Sequence, residues 1–162
     1  MARRFLANLS KSALVALLLF LAPLYLFAAG EMPVLPLSVT GPDGKVHMFS
    51  VEVASTPSER ERGLMHRETM EDDQGMLFAF PKVRRVTMWM ENTLIGLDML
   101  FIDESGRVIR VKHNARPMDR SIIDSGGDVS HVLEINAGLA TRLGIAEGST
   151  VQGEALQIKS SH

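Results

Sequence analysis

A charged side chain inside an apolar strand draws attention first, because burial penalises charge unless a partner answers it. Two residues of this sequence fit that description: Asp98, within Leu97-Asp98-Met99-Leu100, and Glu134, within Val132-Leu133-Glu134-Ile135. Arg67, after a short polar segment, and the pair Asn92 and Thr93, in a polar turn, complete a candidate constellation. Two readings of it are open. In one, the five residues wall a pocket. Arg67 is then a bidentate fork for a carboxylate, phosphate or sugar acid, and Asn92 and Asp98 are hydrogen-bonding partners. In the other, Arg67 is the internal counter-ion of Asp98 or Glu134, and Asn92 with Thr93 only holds the turn.

Other chemistry has thinner support. Met88 and Met90 are two residues apart on an expected strand, so their thioethers share a face that would suit Cu(I), although thioethers also fill irregular cores. His113 falls in phase with Ile109 and Val111, and His66 precedes Arg67. A zinc site would have to be assembled from these distant histidines and a carboxylate, since no compact ligand spacing occurs. Ser121, Ser125 and Ser130 lie near His131, Asp124 and Asp128, yet no Gly-x-Ser-x-Gly elbow is present. The sequence therefore assigns no catalytic residue, no metal ligand and no cofactor. Met88, Met90, His66 and His113 are the weak metal candidates.

Positioning these residues requires strands. Alternation over 35–40, the turn Gly41-Pro42-Asp43-Gly44 and alternation over 46–54 predict a hairpin, with Phe49, Val51 and Val53 on one face. Thr56-Pro57-Ser58-Glu59 reads as a capping box with proline at the first helical position, opening a short helix that stops near Gly63. Strands are expected over 76–80, ended by Pro81, then over 86–91, 97–103 and 108–113. Residues 114–129, with Pro117, Gly126 and Gly127, read as a long irregular loop, the kind that often carries function. A strand over 131–136, a short helix over 138–143 and a last strand over 151–158 complete the chain. The expected fold is mainly β (α+β): a small antiparallel β-barrel-like domain with two short helices.

The stretches Arg62-Gly63-Leu64-Met65-His66-Arg67, Gly75-Met76-Leu77-Phe78, Trp89-Met90-Glu91-Asn92-Thr93, Leu97-Asp98-Met99-Leu100-Phe101-Ile102-Asp103 and Val132-Leu133-Glu134, leading to Ala137-Gly138, resemble domain-of-unknown-function family 192 (DUF192). Their order and spacing cover nearly the whole chain beyond residue 36. The resemblance implies a compact β-barrel-like fold, usually behind an export signal, and brings no activity with it. The sequence departs from the family pattern at Glu91, where lysine is common, at Gly96, where proline is usual, and at Ser149-Thr150, where Gly-Asp is typical.

The first thirty residues have a different character. Arg3, Arg4 and Lys11 precede a stretch that is uncharged from Ser12 to Gly30, the pattern of a signal peptide or, if uncleaved, of a signal anchor. Residues 31–36 read as a linker and 37–160 as one β-rich domain. All 19 acidic residues but all save three of the 17 Lys and Arg follow residue 30, so this part is net acidic and nucleic acid is not an expected partner. The chain has no cysteine, which excludes disulfides, thiol nucleophiles and thiolate metal sites. The expected role is an exported binding or accessory module, periplasmic or anchored facing the periplasm. Its partner would be a small polar or anionic ligand or an envelope protein, with membrane contact only through an uncleaved N-terminal segment. A hydrolytic or glycan-directed envelope enzyme and a copper-handling protein are the alternatives.

Overall fold

The computed structural model describes residues 32–158 and residue 160, so the export segment expected over residues 1–30 lies outside the described residues. Strands β1 (Val34–Thr40) and β2 (Val46–Ala54) form the expected hairpin. Helix α1 (Pro57–Arg62) follows, then β3 (Gln74–Met88), β4 (Leu97–Ile102), β5 (Val108–Ala115), β6 (Ile123–Asn136), α2 (Leu139–Leu143) and β7 (Thr150–Gln152), with a 3-10 turn over Glu154–Gln157. The strands make one sheet in the order β5-β4-β6-β3-β2-β1-β7. The architecture is mainly β with two short helices. Among the described residues no helix is long and apolar enough to cross a membrane.

The sheet curls into a half-barrel until its two edge strands approach. Arg107 bridges to Thr150, the Val108 amide donates to Ser149 O at 2.9 Å, and the Val151 amide donates to Gly106 O at 2.7 Å. Gly106 has a φ of +83°, and a Cβ there would stand 2.6 Å from Val151 O, so this approach requires glycine. Period-two alternation gives the sheet two dry faces. Leu37, Val39, Phe49, Val51, Val53, Leu77, Leu100, Leu133 and Ile135 fill the concave interior together with α2. Met76, Phe78, Leu97, Met99, Phe101 and Val132 form a second cluster on the opposite face, joined by Leu64 from beyond α1.

Five expectations need correction. The sheet is not wholly antiparallel: β2 pairs β3 in parallel, Ser50 opposite Gln74 through Ala54 opposite Phe78, because a crossover containing α1 carries the chain back over the sheet. Pro81 does not end its strand. The pairing of β3 with β6 shifts register between Ala79 and Arg84, and proline, lacking an N–H, is tolerated where the ladder is already interrupted. The expected loop over 114–129 is mostly strand. A second register shift lies between Arg85 and Thr87, and nearby the Ser125 hydroxyl accepts from the Val86 amide at 3.1 Å and donates to Gly127 O at 2.6 Å, standing in for ladder groups. The expected final strand is only three residues long before the 3-10 turn, and β1 already begins inside the stretch read as a linker.

Asp98 ties the elements around the concave face. Fully buried, its carboxylate accepts the Asn114 amide at 2.8 Å and the Ala140 amide at 2.9 Å. Helix α2 has no side-chain cap of its own at Gly138, so Asp98 caps it from another strand. Asp98→Ala leaves two amides without an acceptor and is expected to lower stability by about 3–5 kcal/mol. Asp98→Asn, which keeps one acceptor oxygen, should cost about half as much, as read from denaturant midpoints.

Candidate functional site

The capping box opens α1 as expected. The Thr56 hydroxyl accepts the Glu59 amide at 3.3 Å, and the Glu59 carboxylate accepts the Thr56 amide at 2.8 Å. One turn later the Arg60 guanidinium donates to the carbonyls of Ser55 at 2.7 Å and Ala79 at 3.1 Å, which fastens the helix to β3. Arg60 and Arg84 both lie over the Phe80 ring, at 5.9 and 5.7 Å from its centre. Burial, and after it the nearby Arg84, hold the Arg60 guanidinium below its ordinary pKa, although it stays charged.

Between α1 with its following turn, β3 and the turn 89–93 lies a cleft of about 280 Å³. Its apolar walls include Leu64, Phe78, Phe80, Met88 and Trp89, and Arg60, Arg62 and Arg84 line it as well. Glu134 reaches the same cleft from β6. Its side chain is only 3% exposed, and among the described residues nothing donates to its carboxyl or pairs with it. Burial without a partner pushes that carboxyl up to about 8, so it is mostly neutral at pH 7. A perturbed, unpartnered carboxyl facing a partly apolar cleft is a mark of a binding or catalytic site.

The sequence matches the DUF192 family model, described as Uncharacterized ACR, over residues 38–153. The chain belongs to the DUF192 family. A proposed transcription regulator of Sinorhizobium meliloti 1021 is 42% identical, with a TM-score of 0.76 over 77% of this chain and 97% of that one. A protein of unknown function from Novosphingobium aromaticivorans DSM 12444 is 39% identical, with a TM-score of 0.74 over 78% of this chain and 89% of that one. The comparison with curated proteins returns no match.

Of the five residues singled out in the DUF192 sequence, the cleft brings together Glu134 and Thr93. Asp98 and Glu134 cannot share a site. In the β4–β6 ladder Asp98 stands opposite Ile135 and Glu134 opposite Met99, which puts the two carboxyls on opposite faces of the sheet. Arg67 is the counter-ion of neither. It pairs with Glu52 at 2.6 Å, where both side chains are partly exposed. Asn92 sits beside the cleft in the left-handed region, with φ of +52°, and its carbonyl accepts the His66 amide at 2.9 Å. Glu91, the charge reversal against the family pattern, is held by Arg120 at 2.6 Å.

Sequence reasoning missed the arginines and aromatic residues of the cleft. Phe78 and Phe80 sit in a continuous apolar run, which gives no hint that alternate residues face opposite sides. The remaining candidates lie apart from the cleft, save Met88 at its wall. Met90 is fully buried in the cluster beneath, and its amide donates to Asp119 O at 2.9 Å, beyond the end of β3. His66 and His113 are both exposed, and no three His, Cys, Asp or Glu side chains among the described residues are grouped to hold a metal ion. The serine hydroxyls are already committed: Ser121 to Asp119, Ser125 to Gly127 O and Ser130 to Asp103 O. His131 Nδ1, 2.9 Å from the Ser130 oxygen, must therefore donate to it and cannot act there as its base.

Two measurements test this geometry. Glu134 holds its proton in the folded state up to about 8, against an ordinary value of 4.5. As pH rises between these values the unfolded chain releases the proton first, so this group erodes stability. Relative to Glu134→Gln, which does not titrate, the wild type should lose on the order of 3–4 kcal/mol from pH 5 to pH 8. His131, lowered to about 4 by burial, acts in the opposite direction, costing stability as pH falls through the range from 6.5 to about 4. It is present in both proteins and cancels. A pH-independent difference in denaturant midpoint would contradict the buried neutral carboxyl. Arg67→Met, which breaks only a partly exposed pair, should change stability by less than about 1 kcal/mol at neutral pH.

Proposed function

We propose that this DUF192 domain is a binding or accessory module of the cell envelope that takes a small polar or anionic ligand in the cleft between α1, β3 and the turn 89–93. The observation that carries this reading is Glu134, a carboxyl with no partner among the described residues within the apolar stretch 132–135, at the wall of a cleft. Leucine or methionine would serve packing there better. A residue that opposes stability yet faces a cavity is the usual trace of a function that needs it. The basic and then uncharged pattern of residues 1–30 supports an exported location, with the membrane reached only through that segment if it is uncleaved. The acidic balance of the rest of the chain supports a small molecule or an envelope protein as partner over nucleic acid.

Replacement of Glu134 by an apolar residue of similar size separates function from packing. Glu134→Met should raise the stability of the ligand-free protein by about 1–3 kcal/mol, because it removes a poorly solvated carboxyl that no group among the described residues answers. It should also abolish thermal shifts that the wild type shows in a screen of anions, sugars, peptides and metal ions, where a ligand at 100 times its Kd adds about 2.7 kcal/mol. A destabilised Glu134→Met together with a silent screen of the wild type would return Glu134 to a structural role.

A further inference from the structure

The charges around the cleft narrow the chemistry of its occupant. Arg60, Arg62 and Arg84 make no ion pair among the described residues, although all three line one small cavity. From the turn 89–93 comes Glu91, already held by Arg120, and from α1 comes Glu61 as the other surface carboxylate. β4 presents Met99 opposite Glu134, and β3 presents Met76, so neither neighbouring strand supplies a charge to it. Three guanidinium groups are thus answered by Glu61, by Glu59 beside Arg60, whose carboxylate already accepts the Ser55 and Thr56 amides, and by a carboxyl that burial keeps protonated. Unpaired guanidinium groups around a cavity with apolar walls recognise carboxylates and other oxyanions.

We propose, resting on the binding reading above, that the cleft takes an amphipathic organic anion. Its acidic headgroup is held by Arg62 and Arg84, its aryl or short alkyl body lies against Phe78, Phe80 and Met88, and Glu134 donates a hydrogen bond to an oxygen of the ligand. Arg60 is spent on the carbonyls of Ser55 and Ala79 and positions α1 as one wall. A cationic amine would have to ionise a carboxyl that has no other partner and pass three like charges to reach it. At a volume of about 280 Å³ the cleft suits a ligand of roughly ten to fifteen heavy atoms.

Trp89, the single tryptophan of the chain, lines the cleft, so its fluorescence reports occupancy in the full-length protein. The probes are matched in body and opposite in charge: phenylacetate, 3-phenylpropionate and octanoate against phenethylamine, 3-phenylpropylamine and octylamine. The carboxylates should bind at pH 7 at least about tenfold more tightly than the amines, and Arg62→Gln with Arg84→Gln should weaken them about tenfold or more. Both arginines are exposed, so this double variant is expected to fold, which circular dichroism checks. Glu134→Gln does not titrate, so its affinity for the carboxylates should be the same above pH 8 as at pH 7. Above pH 8 the wild type alone should lose affinity, as its ionised Glu134 repels the anion. Amines that match or exceed the carboxylates would overturn the anionic class and leave the cleft as a binding site. Silence from all six probes would overturn the anionic class too, and the stability of Glu134→Met then decides separately whether the binding reading falls with it.

Discussion

Strand β6 runs between β3 and β4, with Glu134 opposite Met76 on one side and Met99 on the other. Both faces of the sheet at this point are dry, so register is the constraint on which everything else depends. A slip of one residue would drive Glu134 into the concave interior among Leu37, Val51 and Leu100 and turn Ile135 toward the cleft. Asp98 opposes that slip. It sits one step along β4, opposite Ile135, and its two accepted hydrogen bonds join β4 to the end of β5 and to the start of α2. A satisfied carboxylate on the concave face thus fixes the position of an unsatisfied carboxyl on the other.

The contrast between these two acids shows what burial does in the absence and presence of donors. Asp98 and Glu134 are both nearly inaccessible, Asp98 on a strand that is otherwise apolar and Glu134 within the apolar stretch 132–135 of β6. Asp98 receives two backbone amides and is part of the framework. Glu134 receives none, keeps its proton and lies against the cleft, with Gly75 of β3 packed so closely that a Cβ there would stand 2.7 Å from its carbonyl oxygen. That close approach leaves no room beside the backbone of Glu134 for a larger neighbour at position 75.

Local chemistry was legible in the sequence and pairing was not. Thr56, Pro57 and Glu59 announce α1 because every contact of a capping box lies within four residues, and Phe49, Val51 and Val53 announce one face of β2 because alternation is a local property. Pro81, Gly126 and Gly127 misled, since each is punctuation in isolation and is absorbed here by a register shift or by the Ser125 hydroxyl. Asp98 and Glu134 were recognised as buried acids but grouped in one site. Separating them needs the β4–β6 register, and no sequence pattern states which residue faces which across a gap of more than thirty positions. Arg67 found Glu52 for the same reason: the parallel β2–β3 pairing that brings its turn near β2 is a tertiary choice.

The parallel crossover from β2 to β3 has a consequence for how such a protein can change. This segment, residues 55–73, carries α1 and one wall of the cleft, and it is fastened at one end by Arg60 to Ala79 O and at the other by Asn136, which donates to Met70 O at 2.8 Å. The curled sheet closes on itself without it, through Gly106 and Val151. The scaffold and the surface that meets the ligand are therefore separable in the chain. Residues can be exchanged or inserted between the two fastenings, reshaping what the cleft admits, while the strand register that makes the protein fold is left as it was.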